Sequence, residues 1–204
     1  MSTNRLEAFS DGVLAVAITL LVLNITVPVT RRHDLAYGLA HSWPHYAAYA
    51  TSFITIGIIW INHHAMVGRL REVDHTILFW NLLVLLSVGI LPFATSLIAA
   101  FLGRGQGQHL AAAIYSGSLL IMSLMFSALN RHILLVRPDL MRSKLSEGQR
   151  RKIFKRALLG IVPYVIATAL ALVSAYATLA ICAAVAAYYA LPRASSSDLD
   201  PPSH

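Results

Sequence analysis

Charge is scarce in this sequence, and cysteine is almost missing. Only 12% of its 204 residues are Asp, Glu, Lys or Arg, against about a quarter in a soluble domain. Hydrophobic residues make up 57% and the mean hydropathy is +0.64. Those values exclude an ordinary soluble enzyme and point to a chain that lives in a bilayer. A single cysteine, Cys182, rules out a disulfide framework within one chain; set in an apolar run, it reads as a packing residue. No phosphate-cradling Walker loop, no glycine-rich dinucleotide turn, no C-x-x-C pair and no Thr-Val-Gly-Tyr-Gly filter occur, so none of those chemistries is expected. A cleavable leader is not expected either. No basic segment precedes the first apolar run, and Glu7 and Asp11 stand where the apolar part of a leader would begin.

Long apolar runs are what the chain does have. About 20 apolar residues cross a bilayer as a helix, and by that measure six runs qualify: 8–29, 45–67, 77–101, 109–136, 154–173 and 175–191. The last two form one stretch too long for a single crossing, so a break near Val173–Ala175 is expected, with a kink at Pro163 as the other possibility. Pro92 is expected to kink the third run rather than end it. Val27-Pro28 through His33-Asp34 should end the first run, and Gly103-Arg-Gly-Gln-Gly107 should join the third to the fourth. The fold expected is therefore all-α: an integral membrane six-helix bundle over 1–193, followed by a disordered tail over 194–204.

The positive charge, +7 overall, sits where topology signals sit rather than where nucleic acid would be gripped. With the N-terminus inside, thirteen of the sixteen Lys and Arg residues fall in inner segments, and only Arg31, Arg32 and Arg104 fall outside. The positive-inside rule then places both termini in the cytoplasm. The run from Arg137 to Arg156 is dense enough to attract anionic headgroups.

The first run carries the most information. Asn4 and Glu7 have the spacing of a capping-box start. On a wheel of about 100° per residue, Gly12, Val16, Thr19, Leu20 and Leu23 share one stripe. Ser10 and Asp11 point well away from it, and Arg5 and Phe9 return toward it if the helix is regular that far. Two readings follow. In one, the stripe is a lipid or packing face and Arg5, Ser10 and Asp11 anchor the helix end. In the other, symmetry copies of the helix line a pore, where Val16, Leu20 and Leu23 form apolar rings that dewet and gate. Thr19 then supplies hydroxyls that replace part of an ion's hydration shell, and Ser10 and Asp11 hold the helix to its neighbours. Elsewhere, His41 and His45 have the spacing of a helical metal pair, but Ser42, Trp43 and Pro44 interrupt it, and no metal site is expected. Trp43, Tyr46 and Tyr49 suit an interfacial aromatic belt.

Arg5-x-x-x-Phe9-Ser10-Asp11, followed by Gly-Val-x-Ala-Val-x-Ile-Thr-Leu-Leu-Val-Leu, resembles the signature first helix of the transmembrane protein 175 family of potassium channels. The resemblance continues through Ser52-Phe53-Ile-Thr-Ile-Gly57-Ile-Ile-Trp60-Ile-Asn-His63-His64, Asn81-Leu-Leu and Leu91-Pro92-Phe93-x-Thr95. It implies a homotetramer in a bacterial inner membrane, with the first helix of each subunit lining a central pore for potassium and other monovalent cations. Modest selectivity over sodium is implied too, with no re-entrant filter loop, no cofactor beyond the permeant ion, and no enzymatic activity. By position, the narrowest apolar ring maps onto Val16, where the family usually has Ile or Leu, with Leu20 and Leu23 as further rings and Thr19 as the threonine layer. Asn24 stands where relatives often carry an acid. Trp60, Asn81 and one of His63 and His64 would receive a polar network from Arg5, Phe9, Ser10 and Asp11. A different class, a proton- or cation-coupled transporter using Asp11 and His63/His64, stays open beside this, although the two halves of the chain show no internal repeat.

Overall fold

The computed structural model describes residues 2–25, 35–142 and 145–191. The expected break at Val27–Asp34 with Arg31 and Arg32, together with Lys144, Arg193 and the tail over 194–204, lies outside the described residues. The rest is an all-helical, membrane-spanning six-helix bundle. The first crossing is α1, Thr3–Leu20, extended by a 3-10 turn over Leu21–Asn24. A short helix, α2, Leu35–His41, leads into α3, Trp43–Gly68. The third crossing is bent, with α4 at His75–Gly89 and α5 at Leu91–Phe101. The fourth, α6, Gln108–Arg131, runs on through a π turn at His132–Val136. The fifth is α7, Glu147–Leu159, then α8, Val162–Leu170; the sixth helix of the bundle, α9, Ala175–Ala190, is apolar but shorter than the five that are long enough to cross a membrane.

Local chemistry accounts for most of these boundaries. Pro92 lacks an N–H and sits in the first turn of α5, so the bend falls at Ile90, and the helix resumes with the Ala94 N–H on the Ile90 carbonyl. Pro163 does the same between α7 and α8. The long apolar stretch also breaks at Ser174, whose hydroxyl accepts the Ala177 N–H and caps α9. Kink and break are both present. At the other end of the bundle, Gly103, Gly105 and Gly107 all have positive φ, and a Cβ at Gly107 would meet the Phe101 ring at 2.9 Å. Two sequence-based starts move outward. The first helix begins at Thr3, so Asn4 lies inside it instead of capping it. The fifth begins at Glu147, behind a true capping box made by Ser146 and Gln149.

Two apolar clusters hold the bundle. The larger fills its middle around Leu14, Ile56, Val88 and Met122, with Cys182 packed in it; the smaller lies under the charged end, around Leu6, Met66, Ile77 and Ile133. One buried polar knot joins three helices in the middle: the Ser52 hydroxyl lies 2.8 Å from that of Thr95 and 3.0 Å from that of Tyr115. At the charged end two connections are stitched together, the Arg71 N–H to the Leu140 carbonyl and the Arg142 N–H to the Arg69 carbonyl.

Asp74 organises that end. One carboxylate oxygen accepts the Ile77 N–H at 2.7 Å, capping α4, and the other takes His132 Nε2 at 3.1 Å and Arg137 at 3.2 Å. Burial would raise its pKa, but these donors outweigh it and hold the carboxyl below the usual range. A depressed pKa stabilises the fold above the unfolded value and is lost as pH falls through the folded one. Asp74→Ala is therefore expected to cost about 1 kcal/mol as a lost cap. The deficit should be constant above about pH 5 and shrink well below pH 4. Thermal unfolding of wild type and variant across that range checks it; an undiminished deficit at the acid end would remove the carboxylate's charge as the cause.

Candidate functional site

The first helix has two faces, and their spacing explains both. Leu6, Ser10, Leu14, Ala17 and Leu21 recur every three or four residues and are all buried against the subunit's own α3, α4 and α5. The complementary set, Phe9, Val16, Leu20 and Leu23, is exposed at 52%, 56%, 43% and 70%. Gly12 and Thr19 lie on this outward face, and Arg5 extends it toward the N-terminus. Every residue of the Val16/Thr19/Leu20/Leu23 set thus shares one open stripe. The Thr19 hydroxyl donates to the Val16 carbonyl at 2.9 Å. Its proton is committed inward, and its oxygen remains an acceptor at the stripe.

Ser10, on the opposite side, is fully buried and is the centre of a three-helix hydrogen-bond chain. Its hydroxyl donates to the Leu6 carbonyl at 2.9 Å and accepts Asn81 Nδ2 at 3.0 Å. Asn81 Oδ1 lies 2.7 Å from His63 Nε2. A carboxamide oxygen only accepts, so Nε2 carries the proton in this contact, and His63 Nδ1 is left buried without a partner. In this way α1, α4 and α3 are joined by polar groups that all lie inside the protein.

Asp11 takes a different partner. Trp60 Nε1 donates to its Oδ1 at 2.9 Å on a more open flank. One turn earlier Glu7 pairs with His64 Nδ1 at 2.8 Å. The polar residues anticipated as one network therefore divide in two, the buried Ser10–Asn81–His63 chain and a flank cluster in which side-chain atoms of Glu7, Asp11 and His64 lie within 4.8 Å of one another beside Trp60, and His63 and His64 serve different ones. Arg5 and Phe9 join neither: among the described residues the Arg5 side chain makes no hydrogen bond or ion pair, and Phe9 stays exposed. The reason is angular, since five residues along a helix turn the chain about 140° past a full circle, which places Arg5 on the stripe side when Ser10 faces inward.

Two contacts had no sequence signal. Glu7 and His64 could be paired only once the helices were placed side by side. Asn24, anticipated at the outer mouth, instead donates Nδ2 to the Pro92 carbonyl at 3.0 Å. Pro92 sits just past the bend, so Asn24 fastens the far end of α1 to α5. The His41/His45 pair is split between α2 and α3; His41 stacks on Tyr37 with ring centroids 4.6 Å apart, and Trp43 stacks on Tyr176 at 6.2 Å.

The residues that make this arrangement coincide with a known family. The sequence profile described as endosomal/lysosomal potassium channel TMEM175 matches residues 5–92, from the start of α1 to the Pro92 bend. A potassium channel of Streptomyces collinus is 41% identical over 92% of this chain and 91% of its own length. The chain belongs to the TMEM175 family. The crystal structure of a lysosomal potassium-selective channel TMEM175 homolog from Chamaesiphon minutus superposes with a TM-score of 0.82 at 36% identity, covering 95% of this chain and 98% of that one. The human relative, named as an endosomal/lysosomal proton channel, is 30% identical over 80% of this chain but only 34% of its own length. All three are named as channels and none as an enzyme. Similarity to the first two runs through nearly the whole chain, including the second half, where the opening motifs gave no lead.

Proposed function

We propose that four copies of this chain form a potassium-permeable channel in a bacterial inner membrane, with α1 of each copy lining a central pore. The observation that carries this reading is the two-faced first helix: its inward face is packed and tied to its own subunit, while its outward face is apolar, continuous and unoccupied in a single subunit. One subunit cannot enclose a pore with one such helix, whereas a ring of copies turns the stripe into a lining. Val16, Leu20 and Leu23 then stack as apolar rings, where a column of water breaks easily and ion flow stops. Between them Thr19 contributes hydroxyl oxygens with their protons turned away. Such a ring accepts a cation without carrying a charge. It stands in for part of the ion's hydration, which favours the more weakly hydrated potassium over sodium by a modest factor.

The orientation has support in the distribution of charge. Arg69, Arg71, Arg131, Arg137 and Arg142 flank helix ends on the side where α1 begins, whereas Arg104 lies in the opposite connection, which favours cytoplasmic termini. The purified protein is expected to have a native mass of about 89 kDa, four times the subunit's 22.2 kDa, and to conduct potassium in reconstituted bilayers with no proton gradient. A monomer as the only species, or a saturable flux that requires a proton gradient, would replace the channel with a coupled transporter.

A further inference from the structure

A second feature lies on the flank of the bundle, and α1 contributes nothing to it. A groove of about 510 Å³ opens between α3, α6, α7 and α9. Its α6 wall presents Ser123, Ser127 and Asn130, one helical face at steps of four and three residues. Ser127 and Asn130 are 6% and 7% exposed, yet neither side chain has a hydrogen-bond partner among the described residues. That is unusual within this same helix: Ser116 and Ser118 turn their hydroxyls back onto the Ala112 and Ile114 carbonyls at 2.8 and 2.7 Å. Their polar atoms are not sealed off, since the buried unpartnered atoms among the described residues are those of His45, His63 and Arg150; the Ser127 hydroxyl and the Asn130 carboxamide instead face the open groove and can bond to what fills it.

The groove is graded along its length. Arg69 and Arg156 line it at the basic end, and no carboxylate lines it among the described residues. Toward the middle of the bundle its walls turn to Ile58, Ile59 and Val185, ending near Thr55, about 21 Å along α3 from Arg69 at 1.5 Å per residue. Water would suit the polar stretch but not the apolar one. A free inorganic anion would suit the guanidiniums but leave the rest of the groove empty.

We propose that this groove holds one anionic phospholipid per subunit, with its phosphodiester at Arg69, its ester carbonyls accepting from Ser127 and Asn130, and an acyl chain along Ile58, Ile59 and Val185. Cations between spanning helices at the cytoplasmic face are well placed for such headgroups. The site stands apart from the pore, and its test reads binding rather than current.

Full-length protein in detergent is titrated with palmitoyl-oleoyl phosphatidylglycerol or phosphatidylcholine and read by native mass spectrometry. The expected result is one retained phosphatidylglycerol per subunit and a preference of about fivefold over phosphatidylcholine, the equivalent of about 1 kcal/mol for a basic residue at the membrane surface. Arg69→Gln with Asn130→Leu should abolish that preference at unchanged helicity and oligomer mass. If that double variant does not assemble, Ser127→Ala, which removes only the hydroxyl, should still lower retention by about threefold. Arg151→Gln with Lys152→Gln, which removes charge from α7 outside the groove, should change nothing. Four results overturn the proposal: undiminished binding to the groove variants, equal loss in the control pair, displacement of the lipid by millimolar inorganic phosphate, or cross-linking that places a second copy of the chain in the groove.

Discussion

Val16→Ala should raise the potassium current of the reconstituted protein by roughly tenfold, and Val16→Phe should abolish it. The expectation rests on the position of the side chain, not its chemistry alone. Val16 is on the open stripe and makes no packing contribution to its own subunit's core. In a ring of four, each alanine removes apolar bulk from the same level of the pore at once. At about 0.8 kcal/mol per buried methylene, only part of that loss is needed to lower the barrier to wetting by about 1.4 kcal/mol, which is tenfold in rate. Leu20→Ala should act in the same direction. Val22→Ala supplies the control: Val22 is as exposed as Val16 but lies about 120° away around the helix, so single-channel current should not move. Equal currents in wild type and Val16→Ala would remove the gate from this ring.

The second large effect is expected at Asn81, and on stability. Asn81→Leu removes the acceptor of His63 Nε2 and the donor to Ser10 in one step, leaving both groups sealed inside the bundle. An unsatisfied buried polar group costs about 1–3 kcal/mol, so the pair should cost roughly 3 kcal/mol. In a chain of this size that corresponds to a fall of about 6–12 °C in the thermal midpoint, followed by size-exclusion of heated samples. Ser10→Ala should cost less, because Asn81 keeps its contact with His63. Trp60→Phe, which breaks only the half-open Asp11 link, should cost least. If Asn81→Leu proves as stable as Trp60→Phe, the buried chain is not what fixes α1.

The sequence made the two faces of α1 legible because one period governs both. A residue that faces the core at Ser10 predicts others at Leu14, Ala17 and Leu21, and everything opposite them follows. The position of Pro92 announced the bend at Ile90, and the excess length of the last apolar stretch announced the break at Ser174. What could not be read was which polar groups meet. His63 and His64 are neighbours in sequence and both suit Asp11, yet successive residues on a helix point about 100° apart. One of them enters the core to reach Asn81, and the other stays on the flank with Glu7. Arg5 belongs to the same motif as Ser10 but to the opposite face. The Ser52–Thr95–Tyr115 knot needed three helices in register, and no single segment encodes that. The groove beside α6 was invisible for a related reason: its serines and asparagine look like ordinary helix positions until their partners fail to appear.

The fastening of α1 at Asn81 and at Pro92 has a mechanical corollary. Those two residues lie on either side of the bend at Ile90, so α1 is strung across α4 and α5 as a cord is strung across a bow. Opening or closing that bend changes the distance between the nocks, and the cord has to take up the difference. The compliant stretch is the 3-10 turn at Leu21–Asn24, which is longer per residue than an α-helix by about 0.5 Å. Rewinding its four residues shortens the cord by about 2 Å and rotates Leu23 about the helix axis. Flexion of the outer limb and the setting of Leu23, the outermost ring of the proposed pore, are thereby a single degree of freedom.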